Sequence, residues 1–312
     1  MPQIGLGVWK IPKEKTSDIV FESVRMGVRA FDCACDYGNE LEVGQGLRRA
    51  IDEGLVSRNE LFITSKLWNT YHAEEHVELA ARKSLADLGV EYVDLYLIHF
   101  PIAQKFVPIE VRYPPEWVHD PTGPNPRIEL SGIGYRETWT AMEALKKCGL
   151  AKHIGVSSLN VQALTEIFSY CEIRPENLQI ELHPYLVQEQ LVAFCKREGV
   201  TVTAFSPLGA SSYIELGGAD NIGALDEPIV KAIAAKHSKT PAQVILRWHL
   251  QRGYSIIPKS SHLARIRENF DILGFSLESE DVQSIAALNK GKRFNDPGVF
   301  CTFMGGAIPI FD

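Results

Sequence analysis

Three short segments carry side chains that together could move a proton. Asp32 stands five positions before Tyr37 in Phe31-Asp32-Cys33-Ala34-Cys35-Asp36-Tyr37-Gly38-Asn39-Glu40. Lys66 closes Ile63-Thr64-Ser65-Lys66, and His99 closes Leu95-Tyr96-Leu97-Ile98-His99. A free tyrosine titrates near ~10 and is a weak acid at neutral pH. An ammonium beside it favours the phenolate, so Lys66 would lower that value and make Tyr37 a usable general acid. Asp32 would pair with Lys66 and fix its place, while His99 would hydrogen-bond a carbonyl oxygen that gains negative charge. This is the equipment for carbonyl reduction. Side chains offer no hydride donor, so a nicotinamide cofactor is implied. Each residue alone has a plainer reading: a core or rim tyrosine, a solvated lysine, a satisfied core histidine, a loop-capping aspartate. Their joint occurrence at three consecutive strand ends favours the chemical one.

The elements that must position these groups alternate strand and helix. Apolar runs at 4–9, 29–34, 61–66, 93–100, 153–157, 178–182, 200–206 and 255–259 read as strands. Helices are expected at 16–26, 41–53, 73–88, 135–147, 161–171, 189–197, 241–252 and 262–273, the second presenting Val43, Leu47, Ala50 and Ile51 on one face. Gly27, Gly54, Gly89, Gly149, Gly199 and Gly253 follow helix ends, where a left-handed cap is wanted. Eight largely apolar strands, each followed by a helix, predict an α/β fold: a (β/α)8 TIM barrel with two extra helices, at 227–237 and 279–289. No Gly-x-Gly-x-x-Gly turn follows the first strand, which disfavours an open dinucleotide-binding sheet. With no linker or composition break, residues 1–312 read as a single domain. Long connections at 101–134, 207–225 and 291–312 would emerge on the C-terminal face, where barrel enzymes keep their sites.

Composition sets limits on partners. A net charge of −7 argues against nucleic acid or an anionic membrane surface as the main partner. No apolar run approaches the ~20 residues of a membrane span, and no basic-then-apolar leader opens the chain. The six cysteines, at 33, 35, 148, 171, 195 and 301, show no metal-type spacing, so a reduced, cytoplasmic setting is expected. His72 and His76 have helical spacing but no third ligand. The strand ends lack the carboxylate cluster of a metal-dependent barrel lyase.

The same stretches resemble the signatures of the aldo-keto reductases: Asp32 with Tyr37-Gly38-Asn39-Glu40, then Thr64-Ser65-Lys66-Leu67-Trp68, Asp94-Leu95-Tyr96-Leu97-Ile98-His99-Phe100-Pro101, and Ile257-Pro258-Lys259-Ser260. The resemblance spans essentially the whole chain. Within that family it is to the xylose (aldose) reductases, through His99-Phe100-Pro101-Ile102 and the residues after it, Tyr113-Pro114-Pro115, and Arg293-Phe294-Asn295-Asp296-Pro297. It implies NAD(P)H-dependent reduction of an open-chain aldose to its alditol, with Asp32, Tyr37, Lys66 and His99 catalytic and Tyr37 the proton donor. Variants of this reading are a mannose or sugar-phosphate reductase and a broad aldehyde reductase. A reading of another class is a non-catalytic NADPH-binding redox-sensor subunit, against which the four catalytic positions argue.

For the cofactor, the resemblance implies Ser157, Ser158 and Gln179 at the nicotinamide carboxamide, with Ser158 where the family has Asn. It implies Phe205 stacked on the ring in place of the usual Tyr, and stacking needs only the aromatic face. Ser206, Leu208 and the stretch 209–225 match the segment over the pyrophosphate, and Glu227 an acidic residue beyond it, with Asp226 the competing assignment. Lys259, Ser260, Ser261 and Arg265 open a helix, where cations and free N–H groups suit an anion; in the family that anion is the adenosine 2′-phosphate. Glu268 and Asn269 match adenine contacts. NADPH is therefore expected, with NADH as a second cofactor. The substrate candidates are Trp9, Asp36, Trp68, His99, Phe100, Trp117, Phe294 and Asn295, rings for the carbon chain and polar groups for hydroxyls. The partner is then a small sugar or aldehyde, with no nucleic acid and no membrane, and the protein a monomer or homodimer. The family's N-terminal β-hairpin has no counterpart here, so the start is either truncated or lacks that plug, which would bear on stability.

Overall fold

The computed structural model describes residues 1–209 and 223–311. Eight parallel strands pair in chain order: β1 (Leu6–Gly7), β2 (Ala30–Asp32), β3 (Phe62–Leu67), β4 (Val93–Ile98), β5 (Ala151–Ser157), β6 (Asn177–Glu181), β7 (Thr201–Phe205) and β8 (Ser255–Ile256). The sheet closes on itself, since Ile4 bridges Ile256, Gly5 N donates to Ile256 O at 2.9 Å and Ile256 N to Gln3 O at 2.9 Å. The fold is thus the expected (β/α)8 barrel. Because all strands run the same way, their C-terminal ends share one rim.

Helices α1 (Lys13–Arg25), α2 (Glu40–Asp52), α3 (Glu74–Leu88), α4 (Tyr135–Lys147), α5 (Val161–Phe168) and α6 (Glu189–Arg197) follow the first six strands. The extra helix α7 (Pro228–Lys236) precedes α8 (Pro241–Gln251), α9 (Leu263–Phe270) follows β8, and α10 (Ser279–Ala286) is the second extra one. They cover the barrel with apolar faces: Val43, Leu47 and Ala50 of α2 are buried, as are Trp139 and Met142 of α4 and Val244 and Trp248 of α8. The two buried indoles have partnered N–H groups, Trp139 donating to Ile173 O at 2.9 Å and Trp248 to Val282 O at 3.1 Å. Among the described residues, no helix is long and apolar enough to cross a membrane.

The departures from expectation are local. The last strand stops at Ile256, two residues before Pro258, which has no N–H to give a ladder. Helix α1 starts three residues early, at Lys13, with Thr16 Oγ1 donating to Pro12 O at 2.9 Å in its first turn. The unforeseen elements are short, among them a 3₁₀ turn at Cys35–Tyr37, which carries the tyrosine, and α11 (Pro297–Phe300) in the tail. Neither is long enough to show a period in sequence.

Helix α2 is squeezed between its neighbours. A Cβ on Gly46 would lie 2.5 Å from Ser17 O and 2.8 Å from the Val20 Cβ of α1. Gly46→Ala should therefore destabilise by ~1–3 kcal/mol through overpacking. Thermal denaturation would read this as a fall of several degrees, and an unchanged midpoint would contradict such close helix contact.

Candidate active site

Strand register brings the four groups together. Asp32 ends β2, opposite Thr64 of β3, and Lys66 lies two residues further on, so its side chain enters the same interior face. Lys66 is fully buried. An ammonium has three N–H donors, and all three are used: one to the Asp32 carboxylate, one to Cys33 O at 2.9 Å and one to the Tyr37 hydroxyl oxygen at 3.0 Å. Since Lys66 must donate in the last of these, the Tyr37 O–H is left to point elsewhere. The other Asp32 oxygen accepts from Gln179 Nε2, across the barrel in β6, at 2.7 Å. Buried charge is tolerated only when paired and hydrogen-bonded in this way.

Electrostatics refine the expectation. The Tyr37 phenol is held well above its ordinary value, by burial first and then by the carboxylates of Asp32 and Asp36. Lys66 was expected to lower that value; in the folded site, burial outweighs it. Tyr37 therefore stays protonated at neutral pH, and the ammonium acts on the phenolate left once the proton has gone. His99, one residue past β4, is held well below its usual value by burial and then by Lys66, so its imidazole is neutral. Its ring meets Tyr37 edge-on at 5.7 Å between centroids.

Above this cluster opens a cavity of about 310 Å³. Asp32, Tyr37 and His99 form its polar floor. Trp9, Asp36, Phe100, Trp117 and Asn295 line it from the substrate candidates, and Ser157, Ser158, Gln179, Phe205, Ser206, Leu208 and Lys259 from the cofactor candidates. Trp68 does not line it. That indole is buried behind the wall, its ring 5.3 Å from His99, 6.0 Å from Phe100 and 5.0 Å from Trp117, with its N–H given to Glu116 O. Phe300, not singled out from sequence, continues the wall 5.3 Å from Trp117. Gly7, Pro207, Gly209, Ile257, Pro258 and Met304 also line the cavity without having been foreseen. At Gly7 the signal lies in a close approach, since a Cβ there would meet Ile257 O at 2.9 Å.

The remaining candidates lie away from the cavity. Ser260 Oγ accepts from His262 N at 3.0 Å at the start of α9. Ser261 and the exposed Arg265 stand beside it. Glu268 accepts from Thr240 Oγ1 at 2.7 Å, and Asn269 is buried. Glu227 accepts from Tyr185 OH at 2.6 Å and Lys290 Nζ at 3.0 Å. Most of the stretch 209–225 expected over the pyrophosphate falls outside the described residues. Phe294 is buried, its ring 5.1 Å from that of His183.

The set fits a nicotinamide nucleotide. An aromatic face (Phe205) and polar groups (Ser157, Ser158, Gln179) border the same cavity as the phenol, and Lys259 borders it beside Pro258 and Ile257. Ser158 (φ 64°) and Ser206 (φ 48°) both hold left-handed backbone just past strand ends. That costs a non-glycine residue free energy and is concentrated at functional sites. Among the described residues no His, Cys, Asp and Glu group could hold a metal.

Asp36 is pushed from 3.8 to about 7, by burial and then by the Glu116 carboxylate. The folded protein thus binds a proton that the unfolded chain has released, so stability falls as pH rises from 3.8 through about 7. Asp36→Asn removes this dependence, and its midpoint should rise relative to the parent across that window in paired melts. A constant difference would contradict the burial of this carboxylate.

The sequence matches the aldo/keto reductase family model over residues 3–290. An Emericella nidulans protein named a probable NAD(P)H-dependent D-xylose reductase is 51% identical over 95% of this chain and 93% of its own. A Pyricularia oryzae NAD(P)H-dependent D-xylose reductase is also 51% identical, over 95% of this chain and 92% of its own. Among solved structures, a Bombyx mori aldo-keto reductase in complex with NADP superposes with a TM-score of 0.83 at 37% identity, covering 95% of this chain and 92% of that one. The chain belongs to the aldo/keto reductase family.

Proposed function

We propose that this protein reduces the aldehyde of an open-chain, xylose-like aldose to the alditol with NADPH, NADH serving as a second cofactor. One observation carries the reading: a cavity-facing phenol lies 3.0 Å from a fully buried ammonium whose other donors are committed to Asp32 and Cys33. When bound, the reduced nicotinamide supplies the hydride. Tyr37 O–H and a His99 N–H hold the carbonyl oxygen between them. As the carbon gains hydride the oxygen becomes an alkoxide, far more basic than a phenolate, so a phenol that stays protonated in the resting site is still acid enough. Tyr37 hands over its proton, and the phenolate that remains faces Lys66. His99, being neutral, donates a hydrogen bond without competing as the acid.

Ser157, Ser158 and Gln179 are assigned to the carboxamide, Phe205 to the ring face, and Ser206 and Leu208 to the pyrophosphate side. Lys259, Ser260, Ser261 and Arg265 are assigned to the 2′-phosphate, Glu268 and Asn269 to the adenine, and Glu227 to the belt beyond. Trp9, Phe100 and Trp117 keep water from the carbonyl, while Asp36 and Asn295 meet sugar hydroxyls. The relatives named D-xylose reductases support this substrate class.

The test is loss of NADPH or NADH absorbance with D-xylose. Tyr37→Phe should lower kcat by ~10²–10⁴-fold, with NADPH binding, followed by fluorescence titration, left intact. No turnover by the parent protein across a panel of aldoses and aromatic aldehydes would overturn the reading.

A further inference from the structure

Among the buried carboxylates that the proposed mechanism leaves unused is that of Glu181. Glu181, the last residue of β6, has a side chain shut off from solvent. Its three hydrogen bonds come from His183 Nε2 at 2.8 Å, Phe294 N at 2.8 Å and Asn295 N at 2.9 Å. Two of the three donors are therefore main-chain groups of the C-terminal segment, more than a hundred residues away along the chain.

The connection after β6 continues this cradle. Tyr185 O accepts from Lys290 N at 3.1 Å and Lys292 N at 3.0 Å. Gln188, held at φ 47°, donates to Glu181 O at 2.6 Å and accepts from Arg293 at 3.3 Å. The Arg293 guanidinium is attracted to the Glu181 carboxylate as well. The segment so docked is the one that places Asn295 on the wall of the cavity.

We infer that Glu181 is a positioning residue that docks the C-terminal segment and thereby sets how Asn295 reads substrate hydroxyls. The inference rests on reading the cavity as an aldose site. A carboxylate suits the task because it only accepts, and here it faces three donors. An amide of the same shape would bring its own N–H groups against those donors and lose at least one bond. The segment follows α10 and supplies no strand of the barrel, so its release is a local opening that leaves the barrel folded.

The experiment compares the parent, Glu181→Gln, Asn295→Ala and the double variant on D-xylose and on benzaldehyde, which has no hydroxyls, at saturating NADPH. Loss of one hydrogen bond to a hydroxyl corresponds to about tenfold in affinity. Glu181→Gln should raise the xylose KM by about that factor, with kcat held within about twofold and the benzaldehyde KM moving less than about threefold. Asn295→Ala should show the same selectivity, and the double variant should be no worse than the worse single, because the two residues act in series. Amide hydrogen exchange at Phe294 and Asn295, read without substrate, should quicken in Glu181→Gln. Equal losses on both aldehydes, additive losses in the double variant, or unchanged exchange would overturn the inference. A parent enzyme that turns over benzaldehyde but no aldose would instead sink the aldose reading, and the exchange result would still decide the docking role.

Discussion

A lysine with no exposure to water is the constraint on which the site depends. Burying an ammonium costs several kcal/mol unless every donor is met, and Lys66 meets the demand with one carboxylate, one backbone carbonyl and one phenol. Register is what makes this possible. Asp32 pairs opposite Thr64, and a slip of one residue between β2 and β3 would turn Lys66 toward the helices. The chemistry proposed for Tyr37 is thus tied to strand pairing in the first half of the barrel. Gln179 ties it to the second half, since its amide reaches across to the free oxygen of Asp32.

Strand β6 shows how one element serves three levels of the barrel. Asn177, Gln179 and Glu181 alternate with Leu178 and Ile180, so the polar three share the interior face while the apolar two pack outward. Asn177 meets Thr203 at 2.9 Å near the lower end, Gln179 meets Asp32 at the centre, and Glu181 holds the C-terminal segment at the rim. A polar stripe inside the barrel is acceptable because each member is hydrogen-bonded.

Much of this was legible from residue order alone. Strand ends bearing Asp32, Lys66 and His99 follow from short apolar runs with one polar terminus, and barrel closure from eight such runs with helical stretches between. The placement of Tyr37 on a 3₁₀ turn was not legible, because three residues carry no period. Trp68 looked like pocket lining, yet its ring turned out to lie behind His99; only packing decides which side of a wall an indole occupies. The balance at Tyr37 could not be read either, since the phenol's burial depends on what the loops cover. The docking of 293–295 on Glu181 links residues that nothing in their local sequence relates.

The Lys66 ammonium is proposed to stabilise the phenolate formed when Tyr37 gives up its proton. Single-turnover stopped-flow of NADPH oxidation by D-xylose in Lys66→Met, with the nicotinamide prebound, tests this most directly. Removal of a charge-stabilising donor should slow the step by ~10²-fold or more while NADPH still binds. A rate within a few-fold of the parent would show that the buried ammonium takes no part in the proton transfer.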